Sequence, residues 1–276
     1  MYLTRLFFGK IKKKNNFFNK FCIEILKKIS NKIELPDKNF KIKSISIDTS
    51  NFHTAFCQTS MKFVTDKSPY NGLQSYTKKE SVGSEDHYGK ALHRHAYTGI
   101  YHFLFNEIKN LKLNICEIGI LQNESIKMLK QYFKNSNIYG FENNLDLLKK
   151  AKLQRLKNVF YEYVDVRNDQ SLRNTFQKTR IKFDIIIDDS THDILDQKRI
   201  IKICHNYLKK KGCLIIEDIF KKKNFYKSNR LNEIEYYKNF KPYLKHYSDF
   251  FFIDSIHKNE FSPLWNNSKL FILKKF

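Results

Sequence analysis

A run of apolar residues that ends in two carboxylates and a histidine, Phe183-Asp-Ile-Ile-Ile-Asp-Asp-Ser-Thr-His192, constrains this chain more than any other feature. A strand buried on both faces of a parallel sheet reads as a continuous β-branched run, and open α/β sheets place their chemistry beyond the carboxyl ends of such strands. The pattern returns at Cys213-Leu-Ile-Ile-Glu217-Asp218. Two neighbouring strands of this kind would bring Asp188, Asp189, Glu217, Asp218 and His192 to one crevice. Carboxylates that close repel one another unless a cation or a proton neutralises them. These residues therefore point to a divalent metal beside a histidine base.

The rest of the chain supplies the sheet that such strands need. From about residue 93 the pattern predicts helices over 93–110, 125–133, 145–156, 169–179, 194–209 and 233–244. Between and after them, strands are predicted over 114–120, 137–142, 159–166, 183–188, 213–217, 250–256 and 268–274. Alternation of this kind implies a parallel sheet covered on both faces by right-handed crossovers. No helix-length segment separates the last two strands, so they should pair antiparallel. The expected fold is α/β: a Rossmann-like, doubly wound, mostly parallel seven-stranded sheet with an antiparallel C-terminal strand and an N-terminal extension.

The expected division is a basic extension or lid over residues 1–85 and a catalytic domain over 86–276. In the extension, Phe18, Phe21, Cys22, Ile25, Ile29 and Ile33 recur at helical spacing with lysines between them. A docked helix is favoured over one lying on an anionic membrane surface. Residues 40–85 hold one alternating run, Lys41 to Ile47, and then a polar stretch whose fold cannot be read.

Net charge is +23, which raises the question of a nucleic-acid partner. The lysines are dispersed and not gathered in an arginine-rich stripe, so solvated faces are the favoured explanation and nucleic acid is disfavoured. The expected partner is a small-molecule or glycan acceptor, and a homo-oligomer is left open. Hydrophobic residues at 41% and aromatics at 15% suffice for a full core. No apolar run is long enough for a membrane span. The five cysteines form no Cys-x-x-Cys pair. Cys116 and Cys213 fall inside predicted core strands, where a thiol behaves as a small hydrophobe, and a cytoplasmic location is expected.

Three further acids end predicted strands. Glu117-Ile-Gly119 closes the first, where a glycine turn lets backbone approach a ligand and the acid can hold the amino group of an amino-acid-like cofactor. Glu142 ends the second, 23 residues beyond Gly119, the position of an acid that accepts from ribose hydroxyls. Asp165 ends the third, where it could meet an adenine amine. Each could also be a solvated strand-end residue; together they favour a nucleotide-type cofactor.

The segments Glu117-Ile-Gly-Ile, Ile138-Tyr-Gly-Phe-Glu142, Phe183 to His192 and Gly212-Cys-Leu-Ile-Ile-Glu-Asp218 resemble the class I S-adenosylmethionine-dependent methyltransferases. Within that class they are similar to the macrolide-sugar O-methyltransferases of the mycinamicin and macrocin type. The likeness covers about residues 84–220 and includes the helix His95-Ala-Tyr97 to Phe105. It implies a magnesium ion held by Asp189, Glu217 and Asp218, with His192 as base. It also implies S-adenosylmethionine bound near Glu117, Gly119, Ser125, Glu142, Asp165 and Asp188, the last orienting cofactor or loop. The implied reaction is O-methylation of a sugar hydroxyl on a glycoside or surface polysaccharide. The alternatives are RNA methylation and a non-catalytic Rossmann-type binding module.

One departure stands out. Leu121, Gln122, Asn123 and Glu124 fill positions that are glycine-rich in that class. His192 could instead cap the following helix. His87, His93 and His95 lack metal-ligand spacing and are expected to pack or to contact substrate.

Overall fold

The computed structural model describes residues 43–51, 54–71, 73–75, 91–219, 233–261 and 268–276. The helix expected within residues 18–33, and His87, lie outside these residues. The main sheet is built from β1 (Lys43–Asp48), β4 (Asn114–Ile118), β5 (Asn137–Glu142), β6 (Val159–Tyr163), β7 (Phe183–Asp188), β8 (Leu208–Ile219), β9 (Tyr247–Ile256) and β10 (Lys269–Lys275). Its order is β1-β9-β10-β8-β7-β4-β5-β6. A separate antiparallel ribbon joins β2 (Leu73–Ser75) to β3 (Ala91–His93). Helices α1 (Ala55–Ser60), α2 (Tyr97–Phe105), α3 (Glu124–Tyr132), α4 (Leu145–Leu153), α5 (Asp169–Thr179), α6 (Ile194–Cys204) and α7 (Glu233–Leu244) complete the described elements.

The mostly parallel sheet has the expected character, and β10 runs antiparallel to both β8 and β9. It has eight strands because the alternating run before Ile47 adds β1 in parallel to β9 at the sheet edge. Part of the segment expected to be an extension is therefore part of the sheet.

Alternate residues of the central strands face two apolar layers. Ile185 and Ile187 of β7 pack with Tyr101, Ile126 and Leu129 on one side. Ile186 packs with Phe176, Ile200 and Ile203 on the other. Both faces being covered is why β7 reads as an unbroken apolar run. Helix starts follow local capping chemistry: Asn144, Asn168 and Asp193 each accept main-chain hydrogen bonds at the N-termini of α4, α5 and α6. Asp193, and not His192, is thus the cap of α6.

Two boundaries differ from expectation. Helix α6 ends at Cys204, and β8 begins at Leu208 instead of residue 213. Phe183 pairs with Leu208 while Ile185 pairs with Cys213, so Lys209 to Gly212 bulge out of the ladder. That polar bulge interrupts the apolar pattern by which a strand is recognised. Helix α2 starts at Tyr97, because residues 91–93 pair with β2 instead of joining the helix.

His102 of α2 illustrates how the packing controls a titration. Its Nδ1 lies 3.3 Å from the Tyr132 hydroxyl. Burial, helped by Lys109, pulls its pKa down to about 4. A folded pKa below the unfolded value near 6.5 favours the neutral form. The resulting stability is therefore complete above about pH 6.5 and is lost as pH falls towards 4, up to about 3 kcal/mol. Urea unfolding at pH 7 and pH 4.5 should show this loss, and His102→Gln should have a flatter acid limb.

Candidate active site

The strand order places β8, β7 and β4 side by side. Ile118, Asp188 and Ile216 lie level in register, so the three carboxyl ends open at one place. The sheet order reverses around β4 and β7, which is where doubly wound folds form their ligand crevice.

The turn after β4 is built by close backbone contact. Gly119 has φ +85, and a Cβ there would lie 2.2 Å from the Asp189 carbonyl oxygen. The Asp189 amide donates to the Ile118 carbonyl at 2.9 Å, tying the two strand tips together. Leu121 and Asn123 also have positive φ, 43° and 70°. The loop therefore keeps three left-handed residues at alternate positions, although two of them are not glycine. Asparagine adopts that region readily, and its Nδ2 donates to Gln154 and Tyr161 here. For Leu121 the conformation costs roughly 1–2 kcal/mol.

Around this turn a buried ionic cluster assembles. Glu117 is fully buried; its Oε2 accepts from Ser125 Oγ at 2.8 Å, and its Oε1 lies 3.0 Å from Lys67 Nζ. Lys67 Nζ is also 2.5 Å from Asp189 Oδ2 and pairs with Glu217 Oε2. The other Glu217 oxygen accepts from the Tyr101 hydroxyl. Asp218 Oδ1 accepts from the Tyr97 hydroxyl at 2.7 Å and lies 3.5 Å from His95 Nε2. Tyr97 and Tyr101, one helical turn apart on α2, thus serve the two consecutive acids of β8. Consecutive strand residues normally point to opposite faces. Here the ladder with β10 slips between Lys269 and Phe271, and Asp218 takes φ 57, so both acids face the cluster.

His192 stands at the mouth of this arrangement. Its Nε2 is 3.6 Å from Asp218 Oδ2 and 3.9 Å from Asp189 Oδ1, with 22% of its side chain exposed. Its φ of 56 is left-handed, a conformation that the surrounding structure must impose on a non-glycine residue. Asp189, His192 and Asp218 offer ligand atoms within 4.8 Å of one another.

The electrostatics follow from burial and pairing. Burial alone would lower the Lys67 pKa, but Asp189, Glu217, Glu117 and Asp66 outweigh it and hold the ammonium well above its ordinary value. Burial pushes Glu217 up to about 8 and raises Glu117, with Lys67 opposing both shifts. Burial also acts to raise Asp218, yet His95, His192 and the Tyr97 hydroxyl together hold it below the usual carboxylate range.

The remaining expected cofactor residues lie outside this cluster. Glu142 Oε2 accepts from the amides of Ile120 and Leu121, and its Oε1 from those of Asn143 and Asn144. Its acceptor positions are thus occupied by main chain, and it pins the loop after Gly119. Asp165, at the tip of the β6 segment, is held by Arg167 through two side-chain hydrogen bonds of 2.8 and 3.1 Å. Asp188 is buried and accepts from Ser190 Oγ at 2.6 Å, which shapes the loop leading to His192. His95 bonds Ser268 Oγ at 3.0 Å, and its ring centroid is 6.4 Å from that of His93. Lys67 is absent from the sequence-based expectation, since nothing in its neighbourhood distinguishes it among 51 lysines and arginines.

An open, mostly parallel sheet with a glycine turn after its first central strand, and acids at successive strand tips, defines a Rossmann-like, doubly wound architecture. A family model described as a methyltransferase domain matches residues 107–263, more than half of the chain. The chain belongs to that family, and its fold is that of the class I S-adenosylmethionine-dependent methyltransferases. No curated protein matches the sequence. Among solved structures, the fold is similar to that of MycE methyltransferase from the mycinamycin biosynthetic pathway in complex with Mg, SAH and mycinamycin VI. That match has a TM-score of 0.51 and 15% identity, and covers 80% of this chain and 54% of that one. A second MycE structure, with Mg and SAH, gives the same values. The likeness is one of fold, and the chain spans about half the length of MycE. Among the described residues, no helix is long and apolar enough to cross a membrane.

Proposed function

We propose that this chain is an S-adenosylmethionine-dependent O-methyltransferase whose acceptor is a sugar hydroxyl on a glycoside or surface polysaccharide. The observation that carries this reading is the His192 imidazole, part-exposed between Asp189 and Asp218, where the β7 loop abuts the Gly119 turn. The sugar acceptor rests on the resemblance of the Asp189-to-His192 loop and the Glu217-Asp218 strand end to macrolide-sugar O-methyltransferases.

Supporting the cofactor reading, Gly119, Leu121 and Asn123 take the left-handed backbone that glycines readily supply, and Glu142 holds two amides of this turn in place. When bound, S-adenosylmethionine supplies an electrophilic methyl group on a sulfonium sulfur. The protein's task is then to align an acceptor oxygen and remove its proton. His192 Nε2 receives the hydroxyl proton as the bond from acceptor oxygen to methyl carbon forms and the methyl carbon–sulfur bond breaks, the neutral thioether leaving with the electron pair. Asp189 and Asp218 stabilise the imidazolium that results.

The three-carboxylate magnesium set does not fit this arrangement. Lys67 Nζ lies between Asp189 and Glu217, and Tyr101 takes the second oxygen of Glu217. A divalent ion drawn to the remaining set, Asp189, His192 and Asp218, would engage the imidazole nitrogen that proton transfer uses.

Calorimetry with S-adenosylmethionine, followed by mass spectrometry of a glycoside panel incubated with it, tests this function. Cofactor binding below about 1 mM, and a gain of one methylene on a sugar oxygen, are expected. Absence of cofactor binding would leave only a binding module. Methylation of RNA in place of glycosides would overturn the acceptor.

A further inference from the structure

Lys67 takes no part in the proton transfer, yet its side chain is 0% exposed and meets carboxylates from three strand tips. Glu117 comes from β4, Asp189 from the end of β7 and Glu217 from β8. Burying a lone ammonium is costly, and burying three unneutralised carboxylates is costlier still, so each requires the other. The Lys67 ammonium donates to Asp189 and Glu217 and stands 3.0 Å from Glu117 Oε1 as an ion pair. The segment that delivers it is anchored by main chain: the Thr98 amide donates to the Lys67 carbonyl at 3.3 Å, and the His95 amide to the Asp66 carbonyl at 2.5 Å. Beside it, the Ser60 and Ser68 hydroxyls bond at 2.9 Å. All of this lies before residue 107, outside the family match.

We propose that Lys67 is the protein's own cation at this site, standing where a divalent ion would otherwise neutralise Asp189 and Glu217, so that methyl transfer needs no added metal. Lys67 acts as a positioning residue. By joining Glu117 to Asp189 it holds the cofactor turn against the loop that carries His192. The claim rests on the methyl-transfer reading for its activity arm and is independent of it for metal binding.

The test compares the wild type with Lys67→Met, using Mn²⁺ as a spectroscopic probe. In electron paramagnetic resonance titrations Mn²⁺ should stay free with the wild type and become bound to the variant. Wild-type turnover should be unchanged by EDTA. Turnover of Lys67→Met in EDTA should fall roughly a hundredfold, the scale expected for a displaced catalytic group, and excess Mg²⁺ should restore part of it.

Stoichiometric Mn²⁺ binding to the wild type, or wild-type activity lost in EDTA and recovered with Mg²⁺, would overturn the proposal. So would a Lys67→Met variant that binds no Mn²⁺ or keeps full activity in EDTA. Should Lys67→Met not fold, the wild-type measurements, Mn²⁺ left free and turnover indifferent to EDTA, still decide the proposal. A chain that binds no S-adenosylmethionine would defeat the proposed function, while the Mn²⁺ comparison would still decide the role of Lys67.

Discussion

Replacing His192 with asparagine is expected to lower methyl transfer by about 10²–10⁴-fold, the usual contribution of a general base, with cofactor affinity little changed. Asparagine is the informative substitution because His192 sits at φ 56, a conformation that asparagine tolerates and most residues do not. An amide cannot accept the acceptor's proton at neutral pH, whereas the fold of the loop should persist. Asp193 still caps α6 and Asp188 still accepts from Ser190, since neither contact involves the imidazole. Turnover number and cofactor dissociation constant, measured on the same preparation, separate chemistry from binding. A variant that keeps more than about a tenth of wild-type turnover would show that His192 is not the base.

Gly119→Ala should be the most disruptive single methyl group in the site. Its Cβ would lie 2.2 Å from the Asp189 carbonyl oxygen and 2.8 Å from the Ser190 Cα, both backbone atoms that cannot rotate away. The left-handed φ of +85 adds its own penalty. Together these should cost about 3–5 kcal/mol of stability, combining the left-handed conformation with overpacking. Relief requires β4 and β7 to part at their tips, which would also stretch the Lys67 links between Glu117 and Asp189. Gly140→Ala is the natural control. There the added atom meets side-chain atoms of Tyr161 and Ile120 at 3.0–3.1 Å, which can shift. Denaturant midpoints should fall far more for Gly119→Ala than for Gly140→Ala; equal losses would show that the strand-tip contact is not what demands glycine.

The elements most legible in the sequence were those whose signal is local. Strand β7 over 183–188 and helix α5 over 169–179 match their expected bounds, because continuous apolar residues mark a doubly covered strand and Asn168 caps a helix start. Strand β8 is legible only from residue 213 onwards, because Leu208 is followed by three lysines in a bulge that carries no apolar pattern. The acids of the site were visible as strand ends. Their contacts were not, because a strand-end acid looks the same in sequence whether or not it accepts from main-chain amides, as Glu142 does.

Apolar periodicity and caps act over a few residues, so the chain itself determined the alternating α/β order and the convergence of Asp189, Asp218 and His192 at neighbouring strand tips. Tertiary structure alone decided what neutralises the cluster. Lys67 and Glu217 are 150 residues apart in sequence, and their attraction exists only after the sheet has brought the tips together and excluded water from them. Likewise, Glu217 and Asp218 share one face only because pairing with β10 forces a bulge and a left-handed residue between them. Ion pairing in a dry interior is a matter of distance in space, and no spacing along the chain encodes it.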